Sequence, residues 1–335
     1  MHGKECGVLN EPPAAASRLT PDRMSLLVKI ARMYHEQGIR QPEIAERLHI
    51  SQSRVSRFLK EAVTLGVVRT VVVPPQGVHP DLEDSVRDGY KLADVVIAHT
   101  SGTDEPSLLS ALGSAGAAYL EMTLTASDRI GLSSWSATLI ATVDAMTPRT
   151  AQSATQIVQL LGGVGDPRVQ VQANRLADRL AVVTGAQPVF FPAPGFVRTQ
   201  AARDAILDDP SIQAITQQWS GLSMVLVGIG SLQPSDLLRD SGNAVPTDVI
   251  DQLRSEGAVG DICLRFFDAD GATVISDIND RVLGIGVDEL KAVPRRVGIA
   301  GGPRKYEAIR AALRGGWVDV LITDLATAEH LAADL

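Results

Sequence analysis

The chain has 335 residues, of which 45% are hydrophobic and 21% charged, a globular composition that excludes wholesale disorder. A formal net charge of −8 argues by itself against nucleic-acid binding, but the charge is unevenly distributed. Residues 1–70 carry 11 Lys and Arg against 7 Asp and Glu, whereas the remainder carries 20 against 32. A basic N-terminal segment ahead of an acidic body is typical of a small module that contacts a phosphate backbone.

No feature of the sequence indicates secretion, membrane insertion or metal binding. Cys6 and Cys263 lie far apart, and Cys6 is in a loose N-terminus, so no structural disulfide is expected. No apolar run approaches the ~20 residues that span a bilayer, and the first 20 residues lack a hydrophobic signal core. The six histidines show no metal-ligand spacing. We expect a cytoplasmic protein with a flexible segment over residues 1–20, no membrane partner, no metal and no cofactor.

The first predicted helix follows Thr20, an N-cap residue with Pro21 at the first helical position after it. Asp22 suits the positive first turn, and Gly38 is a plausible C-terminal stop. The side chains at helical spacing that should form its buried stripe are Leu26, Leu27, Ile30, Met33 and Tyr34.

Residues 41–61, QPEIAERLHISQSRVSRFLKE, predict two short helices around a tight turn. Pro42 is tolerated in the first turn of the first helix, with Gln41 before it as a candidate cap. His49 and Ile50 form the corner, and Ser51 is a good N-cap for the second helix. The side chains predicted to face inward are Ile44, Ala45, Leu48, Val55, Phe58, Leu59 and Ala62.

The outer face of the second helix carries side chains that hydrogen-bond base edges and phosphates. A helix-turn-helix lays this element in the major groove. With Gln41, the candidate contacts to double-stranded operator DNA are Gln52, Ser53, Arg54, Ser56, Arg57 and Lys60. The alternative is an ordinary amphipathic hairpin with a solvated basic face, against which the N-terminal excess of positive charge argues. One such module covers only a short half-site, so at least a dimer is expected.

Val67–Val73 is rich in β-branched residues and predicts a wing or closing strand, which Pro74-Pro75 ends. We therefore predict a winged helix-turn-helix domain over residues 21–75. Residues 76–335 are predicted to form a larger effector-binding and oligomerisation domain.

Beyond residue 80 the pattern alternates between apolar β-like runs and helical segments, among the latter Val169–Thr184, Thr247–Glu256 and Lys305–Leu313. Near-continuous apolar strands covered on both faces indicate a mostly parallel sheet in a Rossmann-like α/β domain. The predicted strands are Val95–Ala98, Arg129–Leu132, Ile157–Leu161, Val189–Phe191, Met224–Gly228, Ile262–Phe267, Val297–Ala300 and Val318–Thr323.

Small-molecule sites in such domains lie beyond the carboxyl ends of the strands. Those ends are rich in Gly, Ser and Thr here, and backbone N–H groups at strand-to-helix turns suit an anion, phosphate above all. Gly228-Ile229-Gly230 lacks the third small residue of a dinucleotide fingerprint, since Gln233 stands there, so NAD binding is not expected. No P-loop lysine and no HExxH motif is present.

Two charged residues stand out at these strand ends. Only Lys91, Lys291 and Lys305 occur after residue 70, and Lys305 alone follows a glycine pair. It is a candidate phosphate contact, with a solvated helix start as the alternative. Asp261 is a candidate acceptor for sugar hydroxyls, with a turn or strand-edge cap as the alternative.

Several blocks in one order resemble the SorC family of sugar-responsive bacterial transcriptional regulators. They are QPEIAERLHISQSRVSRFLKEAVTLGVV, SSWSATL, QLLGG, FPAPGFV, VGIGS, GAVGDICLRFFDADG, AGGPRKYEAIRAAL and DVLITDLATAEHL. The resemblance implies an effector domain similar to ribose-5-phosphate isomerase and glucosamine-6-phosphate deaminase, sugar or sugar-phosphate effectors, and dimers or tetramers. By the same resemblance the effector pocket uses Ser133, Ser134, Thr138, Gly162, Gly163, Asp261 and Lys305.

The chain departs from the family at Trp135-Ser136, where many members carry Trp-Gly, so the exact phosphate geometry is open. Two hypotheses of different classes remain. The first is a DNA-binding regulator of a carbohydrate operon, switched by a sugar or polyol phosphate. The second is a sugar-phosphate isomerase or deaminase with a DNA-binding appendage, which would need a base near the substrate carbon and a group that stabilises the enediolate. No acid–base pair clusters on one loop, which favours the non-enzymatic reading.

Overall fold

A computed structural model describes residues 20–70, 73–75, 77–100, 102, 104–148, 151–163, 167–233, 239 and 245–335. The chain divides into two compact units, Met1–Val73 and Pro74–Leu335. No helix in these ranges is long and apolar enough to cross a membrane.

The described part of the N-terminal unit contains three helices, α1 (Pro21–His35), α2 (Gln41–Arg47) and α3 (Gln52–Thr64). The turn between α2 and α3 contains His49 at φ 50°, and the Ser51 hydroxyl accepts the Arg54 N–H at 3.3 Å as the N-cap of α3. All three helices share one core, and its fully or nearly fully buried members are Leu27, Ile30, Ala31, Met33, Ile44, Ala45, Val55, Phe58, Leu59 and Ala62. The predicted pair of helices around a tight turn is therefore present.

Three local predictions for this unit were wrong. Arg40, not Gln41, is the N-cap of α2, so Gln41 and Pro42 occupy its first two positions. A proline is tolerated at either, because the first-turn N–H groups have no helical acceptor. Tyr34, assigned to the buried stripe, is 38% exposed and packs edge-on against His35. The described part of the predicted wing, residues 67–70 and 73, is not in a strand, and residues 71–72 lie outside the described chain. An isolated extended segment has no neighbour with which to form a ladder.

The C-terminal unit is built on two sheets. Its strands are β1 (Asp94–Ala98), β2 (Arg129–Leu132), β3 (Gln156–Gln159), β4 (Gln187–Val189), β5 (Met224–Gly228), β6 (Gly230–Ser231), β7 (Ala258–Ile262), β8 (Arg265–Asp268), β9 (Arg295–Ile299) and β10 (Val320–Asp324). Seven of them form a parallel sheet in the order β1-β10-β9-β5-β2-β3-β4. β6, β7 and β8 form a small antiparallel sheet.

Apolar residues alternate between two cores on the two faces of the large sheet. Met224 and Leu226 belong to one core, whereas Val225 and Val227 belong to the other. Because both faces are covered, the strand needs apolar side chains at successive positions, as its sequence predicts. The helices among the described residues of this unit are α4 (Pro80–Tyr90), α5 (Glu105–Thr123), α6 (Ala137–Ala145), α7 (Pro167–Thr184), α8 (Gln200–Leu207), α9 (Pro210–Thr216), α10 (Thr247–Ser255), α11 (Val287–Ala292), α12 (Tyr306–Arg314) and α13 (Leu325–Ala333).

The predicted strand Ile262–Phe267 does not belong to the parallel sheet. Its residues form the turn and flanks of the β7–β8 hairpin, with Cys263 at φ 54° and Leu264 at φ 58°. Two successive left-handed residues match the twist of a tight hairpin, yet such positions normally require Gly or Asn. The sequence carries neither residue at the turn, so the reversal was not predicted.

Candidate functional site

A cavity of about 420 Å³ lies at the carboxyl ends of β2, β5 and β9, the three adjacent central strands of the parallel sheet. Loops that follow these strands contribute Ser133–Thr138, Gly228–Gln233 and Gly301–Lys305 in part or whole. The start of α5 and the β7–β8 hairpin complete the wall. The cavity therefore occupies the position where α/β sheets generally bind small molecules.

The loop after β2 is fixed by hydroxyl hydrogen bonds. The Ser136 hydroxyl caps α6 by accepting the Leu139 N–H at 3.4 Å, and it lies 2.8 Å from the Thr138 hydroxyl. Thr138 in turn donates to the Ile299 carbonyl at 3.0 Å, which ties this loop to β9. Ser136 stands where many family members carry glycine, and here it serves as the N-cap of α6. Its side chain packs against Gly228.

Of the seven residues assigned to the effector pocket, four line the cavity and three do not. Ser133, Thr138, Asp261 and Lys305 line the cavity together. Ser134, Gly162 and Gly163 are buried and are not among its lining residues. The Ser134 hydroxyl points to the Leu161 carbonyl at 3.5 Å, and the Trp135 indole donates to the Gly162 carbonyl at 3.4 Å. Ser134, Gly162 and Gly163 therefore support the cavity wall from behind the residues that line it.

Asp261 is held at the end of β7 by its own hairpin. Its Oδ2 accepts the Leu264 N–H at 3.0 Å, and its Oδ1 occupies the space beside Gly230, where a Cβ would lie 2.0 Å from that oxygen. The carboxylate is thus positioned by a turn hydrogen bond and by the missing side chain opposite. Asp261 therefore caps its turn, which was the alternative considered from the sequence, and it also lines the cavity.

Lys305 ends a short 3-10 turn, Pro303–Lys305, that precedes α12. Backbone N–H groups of the strand-to-helix turns were expected to suit an anion, but in this turn the Gly302 N–H donates to the buried Asp324 carboxylate at 2.7 Å. The Lys305 side chain is partly buried, and its ammonium makes no hydrogen bond or ion pair with any residue that the structure describes. A lysine ammonium on a cavity wall can donate a charge-assisted hydrogen bond to an anion.

The ionisable groups of the cavity are shifted by burial. Burial raises the pKa of Asp261 to about 6, although the Leu264 N–H and Lys305 oppose the shift. Burial lowers the pKa of Lys305, against the effect of Asp261. Burial also raises the pKa of the Cys263 thiol to about 12, so this free cysteine is a poor nucleophile.

The raised pKa of Asp261 predicts that the difference in stability between the parent protein and an uncharged variant at this position depends on pH. A carboxyl group with a higher pKa in the fold stabilises the protein below its unfolded pKa, and this contribution is lost as pH rises through about 6. Asp261→Asn keeps the acceptor for Leu264 without the charge. We expect the free energy of unfolding of this variant, relative to the parent, to increase by about 1 kcal/mol from pH 5 to pH 7. Urea unfolding at both pH values measures this, and an identical difference at both would contradict it.

Sequence reasoning missed an ion pair and an apolar side of the wall. Glu105 and Arg304 form an ion pair at 2.6 Å on the cavity lining, and Leu108, Leu109 and Leu112 of α5 form an apolar side. Arg304 adjoins Lys305 in the sequence and could have been suspected. Glu105 could not, because nothing in the sequence indicates that the start of α5 faces this loop.

In the N-terminal unit, the outer face of α3 carries the predicted DNA contacts. Gln52, Ser53, Arg54, Arg57 and Lys60 are exposed, Ser56 is half-buried, and Gln41 is half-buried at the start of α2. The cations at 54, 57 and 60 make no ion pair with a described residue, whereas Arg23, Arg32 and Arg47 are paired with glutamates. The charge on α3 is therefore uncompensated within the described unit.

A helix-turn-helix with an uncompensated basic face, in one chain with an α/β unit that contains a small-molecule cavity, defines the class of ligand-responsive transcriptional regulators. Residues 76–333 match the family model described as "Putative sugar-binding domain". The chain belongs to the SorC family of sugar-binding transcriptional regulators.

Individual regulators are similar to this protein along almost its whole chain. The sorbitol operon regulator of Klebsiella pneumoniae is 30% identical over 92% of this chain and 98% of its own length. The deoxyribonucleoside regulator of Bacillus subtilis is 30% identical over 94% of this chain and 99% of its own. The crystal structure of the full-length Klebsiella regulator SorC superposes with a TM-score of 0.70, at 29% identity, covering 93% of this chain and all of that one.

Proposed function

We propose that this regulator controls a carbohydrate-utilisation operon by binding a sugar or polyol phosphate in the cavity at the ends of β2, β5 and β9. The observation that carries the proposal is the Lys305 ammonium, which is partly buried and faces the cavity. It makes no hydrogen bond or salt bridge with a described residue, and the Asp261 carboxylate acts on it only at longer range. Keeping such a charge in a protein is costly, and a bound anion would offset the cost. The relatives named for sorbitol and deoxyribonucleosides support this class of ligand.

The cavity offers suitable contacts both for the phosphate group and for the hydroxyl groups of such a ligand. Lys305 supplies a charge-assisted hydrogen bond to phosphate. Asp261 would repel phosphate and is suited to accept hydroxyl groups of the same ligand, with the Ser133 hydroxyl nearby on the wall. Ser134, Gly162 and Gly163 would act by shaping the wall and not by touching the ligand.

On the DNA side, we assign operator binding to residues 21–75. Gln52, Ser53, Arg54 and Arg57 are placed to reach or flank bases, and Lys60 to contact phosphate. A regulator of transcription acts where chromosomal DNA is, so we place this one in the cytoplasm.

Assembly follows from the size of the DNA-binding unit. A single helix-turn-helix contacts one half-site, so we propose a homo-oligomer, dimer or tetramer, joined through residues 76–335. Light scattering of the full chain at micromolar concentration should give at least twice the mass of 35.5 kDa. A monomer both with and without operator DNA would contradict this.

The test of the effector assignment is a thermal-shift screen of the full chain against sugars, polyols and their phosphates. A ligand that binds only the native state adds ~2.7 kcal/mol at a hundredfold excess over Kd, which is a readily measured shift. A phosphorylated ligand should stabilise the protein more than its unphosphorylated counterpart. If no compound of either kind changes the unfolding midpoint, the proposed effector class is wrong.

One observation favours a second candidate, a sugar-phosphate isomerase or deaminase. A carboxyl with a pKa near 6 beside a lysine with a lowered pKa is a pair that could move protons at neutral pH. We rank this below regulation because the relatives are transcriptional regulators. A coupled isomerase and deaminase assay with each ligand found in the screen distinguishes the two, since turnover would establish the enzyme.

A further inference from the structure

Arg304 and Glu105 form an ion pair at the rim of the cavity. The guanidinium Nη2 lies 2.6 Å from Glu105 Oε1, and both side chains line the cavity while remaining largely open to solvent, at 65% and 75% exposure. Arg304 comes from the 3-10 turn that carries Lys305, and Glu105 is the first residue of α5. The pair therefore joins two separate walls of the cavity that Lys305 also lines.

The charges of the residues around the cavity balance as long as no charged ligand is bound. Asp261 and Glu105 supply two negative charges, and Lys305 and Arg304 supply two positive ones. Arg304 lowers the pKa of Lys305 and Glu105 raises it, so both lie within electrostatic reach of the ammonium. A phosphate dianion bound by Lys305 alone would leave an excess of negative charge beside Asp261.

Resting on the proposed function, we infer that Arg304 is a second phosphate-binding cation, which Glu105 holds in the empty site and releases when a phosphate dianion binds beside Lys305. The site would then distinguish phosphorylated from unphosphorylated ligands mainly through Arg304. An uncharged sugar would occupy the same cavity without drawing Arg304 from Glu105.

The exchange of partners is physically reasonable. An exposed ion pair contributes little free energy, whereas a guanidinium binds phosphate through two parallel hydrogen bonds with favourable geometry. Glu105 also loses little on release, because a carboxylate in the first turn of α5 remains stabilised by the helix dipole and by solvent. The ion pair would thus orient Arg304 toward the rim without competing strongly against the ligand.

The test is a double-mutant cycle on the full chain, with inorganic phosphate as the probe and calorimetric titration at a pH where phosphate is dianionic. Arg304→Gln should weaken phosphate binding by about tenfold or more. Glu105→Gln should strengthen it by about two- to fivefold, because Arg304 is no longer held away. In the Arg304→Gln background, Glu105→Gln should have much less effect.

Equal strengthening by Glu105→Gln in both backgrounds would overturn the inference, since the carboxylate would then act only by repulsion. An unchanged Kd in Arg304→Gln, or no phosphate binding by the parent, would also overturn it. Lys305→Ala separates this from failure of the proposed function. Phosphate binding that survives Lys305→Ala rejects the proposed site, whereas loss of binding in Lys305→Ala with no effect of Arg304→Gln rejects the role of Arg304 alone.

Discussion

Lys305→Ala should abolish the response to effector while leaving operator affinity without effector within about twofold, a difference of ~0.4 kcal/mol. Removal of a charge-assisted hydrogen bond to phosphate costs about 1.5–3 kcal/mol, or roughly 10- to 150-fold in Kd. No DNA-contacting residue is changed, so operator binding should be spared. Effector titration followed by calorimetry, and operator titration followed by fluorescence anisotropy, measure the two quantities separately.

Two variants control for indirect effects. Lys91→Gln removes an exposed lysine of the same acidic unit and should leave effector binding unchanged. Lys305→Met keeps most of the side-chain volume, and without ligand it should unfold at or above the parent midpoint because a buried charge is removed. An unchanged effector Kd in Lys305→Ala would reject the pocket. Loss of both effector and operator binding would indicate that Lys305 supports the fold instead.

Arg54→Ala should weaken binding to the operator by about 1–3 kcal/mol, roughly 5- to 150-fold, and relax the preference at one base position. Arg54 is exposed on α3, has no ion-pair partner among the described residues, and lies 5.8 Å from the Phe58 ring centroid. A contact of its guanidinium with a base edge would therefore break no described ion pair. Competition binding with operator variants at fixed salt measures both the loss and the change in preference.

Variants at two other positively charged residues serve as comparisons for Arg54→Ala. Lys60→Ala should weaken operator and random duplex alike and reduce the salt dependence, as expected for a phosphate contact. Arg32→Ala removes an exposed arginine of α1 that is paired with Glu36 at 2.8 Å, and it should change neither affinity nor preference. If Arg54→Ala binds operator and random duplex as the parent does, α3 is not the recognition helix.

Elements governed by local rules were predictable from the sequence. Ser51 caps α3 and Thr20-Pro21 starts α1 because capping depends on neighbouring residues only. The parallel strands were recognisable because both faces of the sheet are covered, which demands apolar side chains at successive positions. The order of those strands was not predictable, since no local signal specifies which strand lies beside β5.

Errors arose where a single side-chain hydrogen bond, and not a local sequence pattern, decides the backbone conformation. The backbone reversal at Cys263-Leu264 depends on the Asp261 carboxylate and not on a turn-forming residue. The strand-to-helix turns were expected to offer backbone N–H groups to an anion, but at Gly302 the Asp324 carboxylate, 22 residues later, accepts the N–H. Of the pocket residues implied by the family resemblance, the four that line the cavity come from three separated segments.

The absence of a side chain at Gly230 has a consequence for comparing family members. Because Asp261 Oδ1 fills the space that a Cβ at 230 would need, the two positions are constrained to vary together. A relative with any larger residue at 230 must turn its carboxylate elsewhere or replace it, and its pocket would then bind hydroxyl groups in a different arrangement. Under the proposed function, in which Asp261 accepts ligand hydroxyl groups, the residue at 230 is therefore expected to indicate which relatives share this arrangement.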